Sequence, residues 1–314
     1  MQFGFSLKGW TVIDVGGAPS LCAVSVKTGA RGGERPRVTA MAHIDASGSD
    51  TDGLRELVGR VDRSLPVLMT LPRSHYRLRV MPEPAVPARE MLTSLRWSLG
   101  AESDGPVDEL NLAWMRIPTE EQLPARPKRL YAVTTSKAEL AERLTTWRQA
   151  GVKPKVVDIR ETALRNIAGA LERPGEGLVL VSADTGGVGM VFTHQGSLYL
   201  DRYIEQPLAE LRAADPETRE GMYQRIAQQL LRSIDVVGRS YPFMPVTRVV
   251  VAPSPEALGL FEALAAQLPL PVEALDLGKI FDLSRVPALA QSPALQARCL
   301  VPLGAALRGA KVAA

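Results

Sequence analysis

One pattern constrains this chain more than its composition does: an order of strands and helices that occurs twice. Thr11–Val15 is a short β-branched run, GGAPS is a turn, and Leu21–Val26 is a second strand. Arg31–Pro36 (RGGERP) is a hairpin loop and Arg37–Ile44 a third strand. Asp52–Ser64 carries Leu54, Leu57, Val58 and Val61 at helical spacing, and Val67–Leu71 returns to strand. The order recurs with Leu178–Ala183, Val188–Thr193 and Ser197–Ile204, joined by the DTGG and HQG turns. A long helix, Pro216–Arg239, follows; Asp215 as N-cap and Pro216 at the first helical position mark its start. Arg248–Val251 is a strand, Ser254-Pro255-Glu256 opens a helix expected to reach Leu268, and Val272–Leu275 closes the series. Both stretches read β-β-β-α-β-α-β: tight turns make the first three strands antiparallel, and helical crossovers make the later ones parallel.

The first stretch obeys this order only if a segment from about Tyr76 to about Gly151 is an insertion. That segment reads as strands Tyr76–Met81, Leu110–Ile117 and Leu130–Thr135 with helices Pro87–Gly100 and Lys137–Ala150, the latter opened by a Ser136/Glu139 capping box. The series resumes at Pro154–Ile159 and helix Arg160–Leu171. The expected division is residues 1–176, with the insertion, and 177–314, whose terminal helix Pro293–Gly309 is expected to pack back onto the body. The length of 314 residues agrees with two units of about 150 each.

Composition excludes several classes. With 46% hydrophobic and 23% charged residues, bulk disorder is excluded. The net charge, 37 Lys+Arg minus 34 Asp+Glu, is +3, too little for a phosphate-tracking stripe on nucleic acid. No apolar run approaches the roughly 18–20 residues that cross a bilayer, and MQFGFSLKGW lacks the flank and core of a signal peptide. Cys22 and Cys299 are far apart with no CxxC, which fits a reducing cytoplasm. His43, His75 and His194 form no ligand spacing, so no metal site is expected. His194, beside the HQG turn, is expected to be exposed. There is no GxxxxGK[ST] and no GxSxG.

A β-β-β-α-β-α-β unit used twice resembles the ribonuclease-H-like fold, doubled as in the superfamily of actin, heat-shock chaperones and sugar kinases. The implied fold class is α/β: a duplicated ribonuclease-H-like, actin-like fold with two units facing a cleft and a small α+β subdomain inserted in the first. Nucleotide binds in that cleft in the superfamily. Asp14 with Gly16 and Gly17 stands where a first phosphate turn would be, Asp14 holding hydrated magnesium and the glycines admitting phosphate to backbone N–H groups. The hydroxyl or basic residue expected after the glycine is missing, and Pro19 removes a donor, so a plain hairpin turn is an equal reading. Asp184, Gly186 and Gly187 match a second phosphate turn, although a register two residues different puts Ser182 in the acidic place. After Arg248–Val251, where paired glycines would admit adenine, stands Ala252-Pro253-Ser254-Pro255, which argues against ordinary ATP binding. Asp158 is a candidate base whose alternative role is capping or ion pairing. No catalytic residue is assigned, and no cofactor is expected, ATP with magnesium being the one candidate.

Further segments resemble the PilM/MshI-like proteins of type IV and MSHA pilus assembly. They are Leu95-Arg96-Trp97 with Gly105–Leu110, Thr134–Ile159, Thr162–Asn166, Gly196–Arg202, Leu231–Asp235, Leu270–Leu277 and Leu303–Arg308, in order along nearly the whole chain. The resemblance implies a cytoplasmic protein recruited to the inner membrane by a PilN/MshJ-type bitopic partner. The partner's short N-terminal cytoplasmic segment would dock between the first unit and the insertion. The motor ATPase would be a separate subunit and a second possible contact. Candidate partner-binding residues are Leu78, Val80, Leu95, Trp97, Trp114 and Met115, with Trp97 and Trp114 foremost; the alternative is that they build the insertion's own core. Three functions follow: a catalytically silent scaffold, which the decayed motifs favour; a nucleotide-gated ATPase; and, weakest for want of a base, a small-metabolite kinase.

Overall fold

The computed structural model describes residues 9–15, 20–29, 34–44, 51–100, 106–119, 127–256 and 258–309. The first unit opens with β1 (Gly9–Asp14), β2 (Leu21–Lys27) and β3 (Arg37–Ile44), then α1 (Thr51–Gly59) and β4 (Val67–Thr70). The inserted segment follows as β5 (Arg77–Pro82), α2 (Met91–Gly100), β6 (Leu110–Ile117), β7 (Arg129–Ser136) and α3 (Lys137–Gln149). β8 (Val156–Asp158) and α4 (Arg160–Gly169) complete the unit. The second unit comprises β9 (Gly177–Asp184), β10 (Gly187–His194), β11 (Ser197–Glu205), α5 (Leu208–Ala213), α6 (Pro216–Ser240), β12 (Val246–Val251), α7 (Leu260–Gln267), β13 (Val272–Ala274), α8 (Pro287–Gln291) and α9 (Pro293–Ala306).

The two main sheets have the same plan. Strand order is β3-β2-β1-β4-β8 in one and β11-β10-β9-β12-β13 in the other. In each, the first three strands are antiparallel and the later two join in parallel. This is the duplicated ribonuclease-H-like plan expected from the sequence. β9 and β10 are buried along almost their whole length: α4 packs on them, and they share one core with Ile226, Leu230 and Val237 of α6 and Leu264 of α7. The inserted strands form a separate sheet, β5-β7-β6.

The units are joined by exchange of helices. α4 follows the first sheet but packs against β9, β10 and β11; α9 ends the second unit but packs on β1, β2 and β4. α4 and α9 cross closely at Gly304, where a Cβ would lie 2.2 Å from the carbonyl oxygen of Ala163. Asn166 Nδ2 donates to the Gly304 carbonyl at 2.9 Å. Beside the crossing, the Cys22 and Cys299 sulfurs lie 3.1 Å apart as free, buried thiols, and that hydrogen bond followed by burial pushes the Cys22 thiol up.

Two local expectations are corrected, and two short helices join those expected. The helix expected from Ser254-Pro255-Glu256 begins only at Leu260, after Gly259 at φ +79°. Ala252 N still extends the sheet to Val181 O, and Glu256 turns outward to Arg212 at 3.1 Å, so these residues form a connection. The short helices α5 and α8 carried no periodic signal. His194 is buried, 5% exposed, because its ring packs edgewise on Tyr199 and tilted on Phe243, and Nδ1 lies 3.1 Å from the Glu176 carbonyl.

Candidate functional site: the cleft and the inserted subdomain

A cleft of about 480 Å³ opens between the units, lined by Asp14, Arg73, Arg160, Asp184, Tyr203 and Arg298 among others. Parallel register brings the C-terminal ends of β1 and β4 together, so Asp14 pairs with Thr70, whose hydroxyl donates to the Asp14 carboxylate. Gly16 and Gly17 lie outside the described residues.

The second turn is engaged with itself. Asp184 Oδ1 accepts from the N–H groups of Gly186 (2.9 Å) and Gly187 (3.1 Å) and from the Tyr203 hydroxyl (2.7 Å). Its Oδ2 lies 3.3 Å from Arg160 Nε. Arg160 Nη2 also donates to Ser182 Oγ at 2.7 Å. The residues of both sequence registers, Asp184 and Ser182, are therefore held by one arginine. Gly189 makes room for it, since a Cβ there would lie 2.2 Å from Arg160 Nη1. Burial, and then the bond to Asp184, push the Tyr203 hydroxyl up. A phosphate cradle needs backbone N–H groups turned toward the ligand. Here those of Gly186 and Gly187 already have a carboxylate acceptor, so the turn as folded does not fit that role. Pro255 and Glu256, from the connection after β12, form part of the same wall.

Asp158 is also engaged. Oδ1 accepts from Ile159 N at 2.9 Å and from the Thr162 hydroxyl, and Oδ2 from Arg308 at 2.8 Å. This is the capping and ion-pairing role, with no oxygen left over for a general base.

Sequence reasoning missed the polar cluster beside the cleft. Glu161, fully buried at the start of α4, accepts from Arg73 Nη1 (2.6 Å) and the Tyr76 hydroxyl (2.6 Å). Arg73 stacks 4.2 Å from the Tyr203 ring centre, and Arg160 lies 5.6 Å from it. Asp201, on β11 two residues before Tyr203, has an Oδ1 shut off from solvent without a hydrogen-bond partner. Burial, then the charge of Glu161, push its carboxyl up to about 7 against the opposing pull of Arg73, Arg160 and Arg202. The only sequence signal was two adjacent charges, Arg160-Glu161, opening a helix that should face another sheet.

The candidate partner residues divide by sheet face. α2 covers one face with Met91, Leu95 and Leu99, against Met81, Leu130 and Ala132. Leu95 is fully buried, which corrects its assignment as a contact open to a partner. Trp114 packs partly buried on the same cluster, with Arg116 stacked 5.3 Å from its ring centre. Trp97, a foremost partner candidate, is 79% exposed on the solvent side of α2. Leu78, Val80 and Met115 share the other face, since Val80 and Met115 both pair with Tyr131 and Leu78 is two residues before Val80. Leu78 and Met115 pack on the main body, and Val80 is left 45% exposed at the outer strand. Arg129, from β7, donates to the Tyr241 hydroxyl at 2.8 Å and ties the subdomain to the second unit.

Comparison with solved structures places the fold. A chain of a PilM–PilN type IV pilus biogenesis complex matches 98% of this chain over 99% of its own length, with a TM-score of 0.73 and 20% identity. A Bacteroides thetaiotaomicron protein described as having an actin-like ATPase fold matches 93% of this chain over 99% of its own at a TM-score of 0.49 and 11% identity. The cytoplasmic domain of EpsL, an inner-membrane component of the type II secretion system of Vibrio cholerae, matches 85% of each chain at a TM-score of 0.47 and 12% identity. No protein-family model matches the chain, and no curated protein matches it. The chain has the actin-like fold, and its resemblance to the pilus-assembly proteins holds at the level of that fold. Among the described residues no helix is long and apolar enough to cross a membrane, and no group of His, Cys, Asp or Glu is placed to hold a metal ion.

Proposed function

We propose that this chain is a scaffold of a type IV or MSHA-type pilus assembly platform. It binds the N-terminal cytoplasmic segment of a PilN/MshJ-type bitopic protein and is held at the cytoplasmic side of the inner membrane through that partner. The observation that carries this reading is the end-to-end match, inserted subdomain included, to a chain from a PilM–PilN complex. The segment docks at the outer edge of the inserted sheet, where Val80 gives an apolar contact at an open strand edge beside the part-buried Leu78.

The cleft serves as a structural joint rather than an ATPase site. In support, the second turn spends its N–H groups on Asp184, Arg160 spans Ser182 and Asp184, and Asp158 is held on both oxygens. The competing reading, a nucleotide-gated protein of the same machinery, draws on the 480 Å³ of open cleft with Asp14 at its rim. Pull-down with a synthetic partner segment tests docking: enrichment over a scrambled peptide is expected, and equal recovery overturns it. Calorimetry with magnesium and ATP tests the silent cleft: no heat is expected, and micromolar binding lost in Asp14→Asn overturns it.

A further inference from the structure

Four parts of the chain meet at one polar cluster, in which Glu161 is fully buried and Arg73 and Asp184 reach the open cleft. α4, the connector from the first unit, contributes Glu161 and Arg160; the segment before β5 contributes Arg73 and Tyr76. The second unit contributes Asp184, Asp201 and Tyr203, and the inserted sheet contributes Tyr131. Tyr131 is 2% exposed, and its hydroxyl faces Asp201. Such a cluster is stable only when charges and hydrogen-bonding groups balance.

Here the balance turns on one proton. With Asp201 protonated, the cations Arg73 and Arg160 face two anions, Glu161 and Asp184. With Asp201 ionised there are three anions for the same two cations, and Asp201 Oδ1 is a buried carboxylate oxygen with no donor. Arg202 on β11 is exposed and offsets this only from the solvent side. Arg129, on β7, is turned to Tyr241. The excess charge draws in water; the cleft side is already part-exposed at Arg73 and Asp184, so the contact left to open is the one between β11 and the inserted sheet, where Tyr131 offers no charge.

We propose that Asp201, beside the buried Glu161, is a proton-operated latch that holds the inserted subdomain against the second unit while it is protonated and loosens it when it is ionised. The neutral-range value given above for Asp201 places the transition near neutrality. Tyr131 lies between Val80 and Met115 in cross-strand register, so loosening moves the wall of the partner-binding face. This consequence rests on the docking reading above; the latch itself does not.

The test is hydrogen exchange of the full chain at about pH 6 and about pH 8, corrected for intrinsic rates. Amides of β7 and β11 should lose protection at the higher pH by roughly fivefold or more, while β9 and β12 hold theirs. Asp201→Asn should remove the difference. Glu161→Gln should move the midpoint to lower pH, because it removes the neighbouring anion. No pH-dependent protection in the wild type, or the same dependence in Asp201→Asn, overturns the latch. Weakening of partner-segment binding between the same two pH values is expected as well; its absence while the exchange change persists overturns only the docking consequence.

Discussion

Gly304→Ala puts the joint between the units under direct strain. An added Cβ would stand 2.2 Å from the Ala163 carbonyl oxygen, 2.7 Å from its carbon and 3.0 Å from Ile167 Cγ1. The first two are backbone atoms of α4 and cannot rotate away, so α4 and α9 must separate by about 1 Å to reach ordinary contact. Overpacking of this kind costs roughly 1–3 kcal/mol. The substitution also replaces glycine by alanine inside a helix, which returns about 1 kcal/mol. The packing term offsets this return, for a net loss of up to about 2 kcal/mol. Gly221→Ala in α6 is the control: nothing lies within 4 Å of its added Cβ, so it should stabilise by up to about 1 kcal/mol. Urea denaturation followed by far-ultraviolet circular dichroism measures both. Equal stabilisation by the two substitutions would refute a close α4–α9 crossing.

Asp201→Asn should flatten the pH dependence of stability. The folded carboxyl value of about 7 lies above the ordinary 3.8, so the unfolded chain loses this proton first and stability falls as pH rises from about 4 to about 7. The full shift would be worth about 4 kcal/mol, and because Asp201 is only half-buried as a residue about 2 kcal/mol is expected, read as the difference in slope between variant and wild type. Leu95→Ala should cost about 2–5 kcal/mol in the same denaturation assay, whereas exposed Trp97→Ala should stay within about 0.5 kcal/mol. Gly189→Ala should disturb the cleft, since its Cβ would displace the Arg160 guanidinium; faster hydrogen exchange in β9 and β10 is the expected readout.

Much of the fold was legible because local signals and tertiary demands agree. The strand and helix order of both units followed from β-branched runs, tight turns and 3.6-residue periodicity, and Asp215 does cap α6 through the N–H groups of Glu217 and Thr218. The connection after β12 misled because Ser254-Pro255-Glu256 has the composition of a helix start while the chain there is still leaving the sheet. Trp97 stands apart from the core of the inserted sheet. Met91, Leu95 and Leu99 recur every four residues and fix the buried stripe, and Trp97 falls between two of them on the opposite side. The cluster of Arg73, Glu161, Arg160, Asp201 and Tyr203 left one trace in the sequence, the adjacent charges Arg160-Glu161. Its members are brought together only by two sheets and an exchanged helix, and no short-range spacing encodes that. The second phosphate turn was legible in form, but its use of its own N–H groups required the side-chain positions of Asp184 and Arg160.

A fluorescence-anisotropy titration of a labelled N-terminal segment from a PilN-type partner, with and without magnesium and ATP, bears most directly on the scaffold reading. Saturable binding is predicted, unchanged by nucleotide and weakened roughly tenfold by Val80→Asp. Binding that appears only with ATP, or that matches a scrambled peptide, would contradict it.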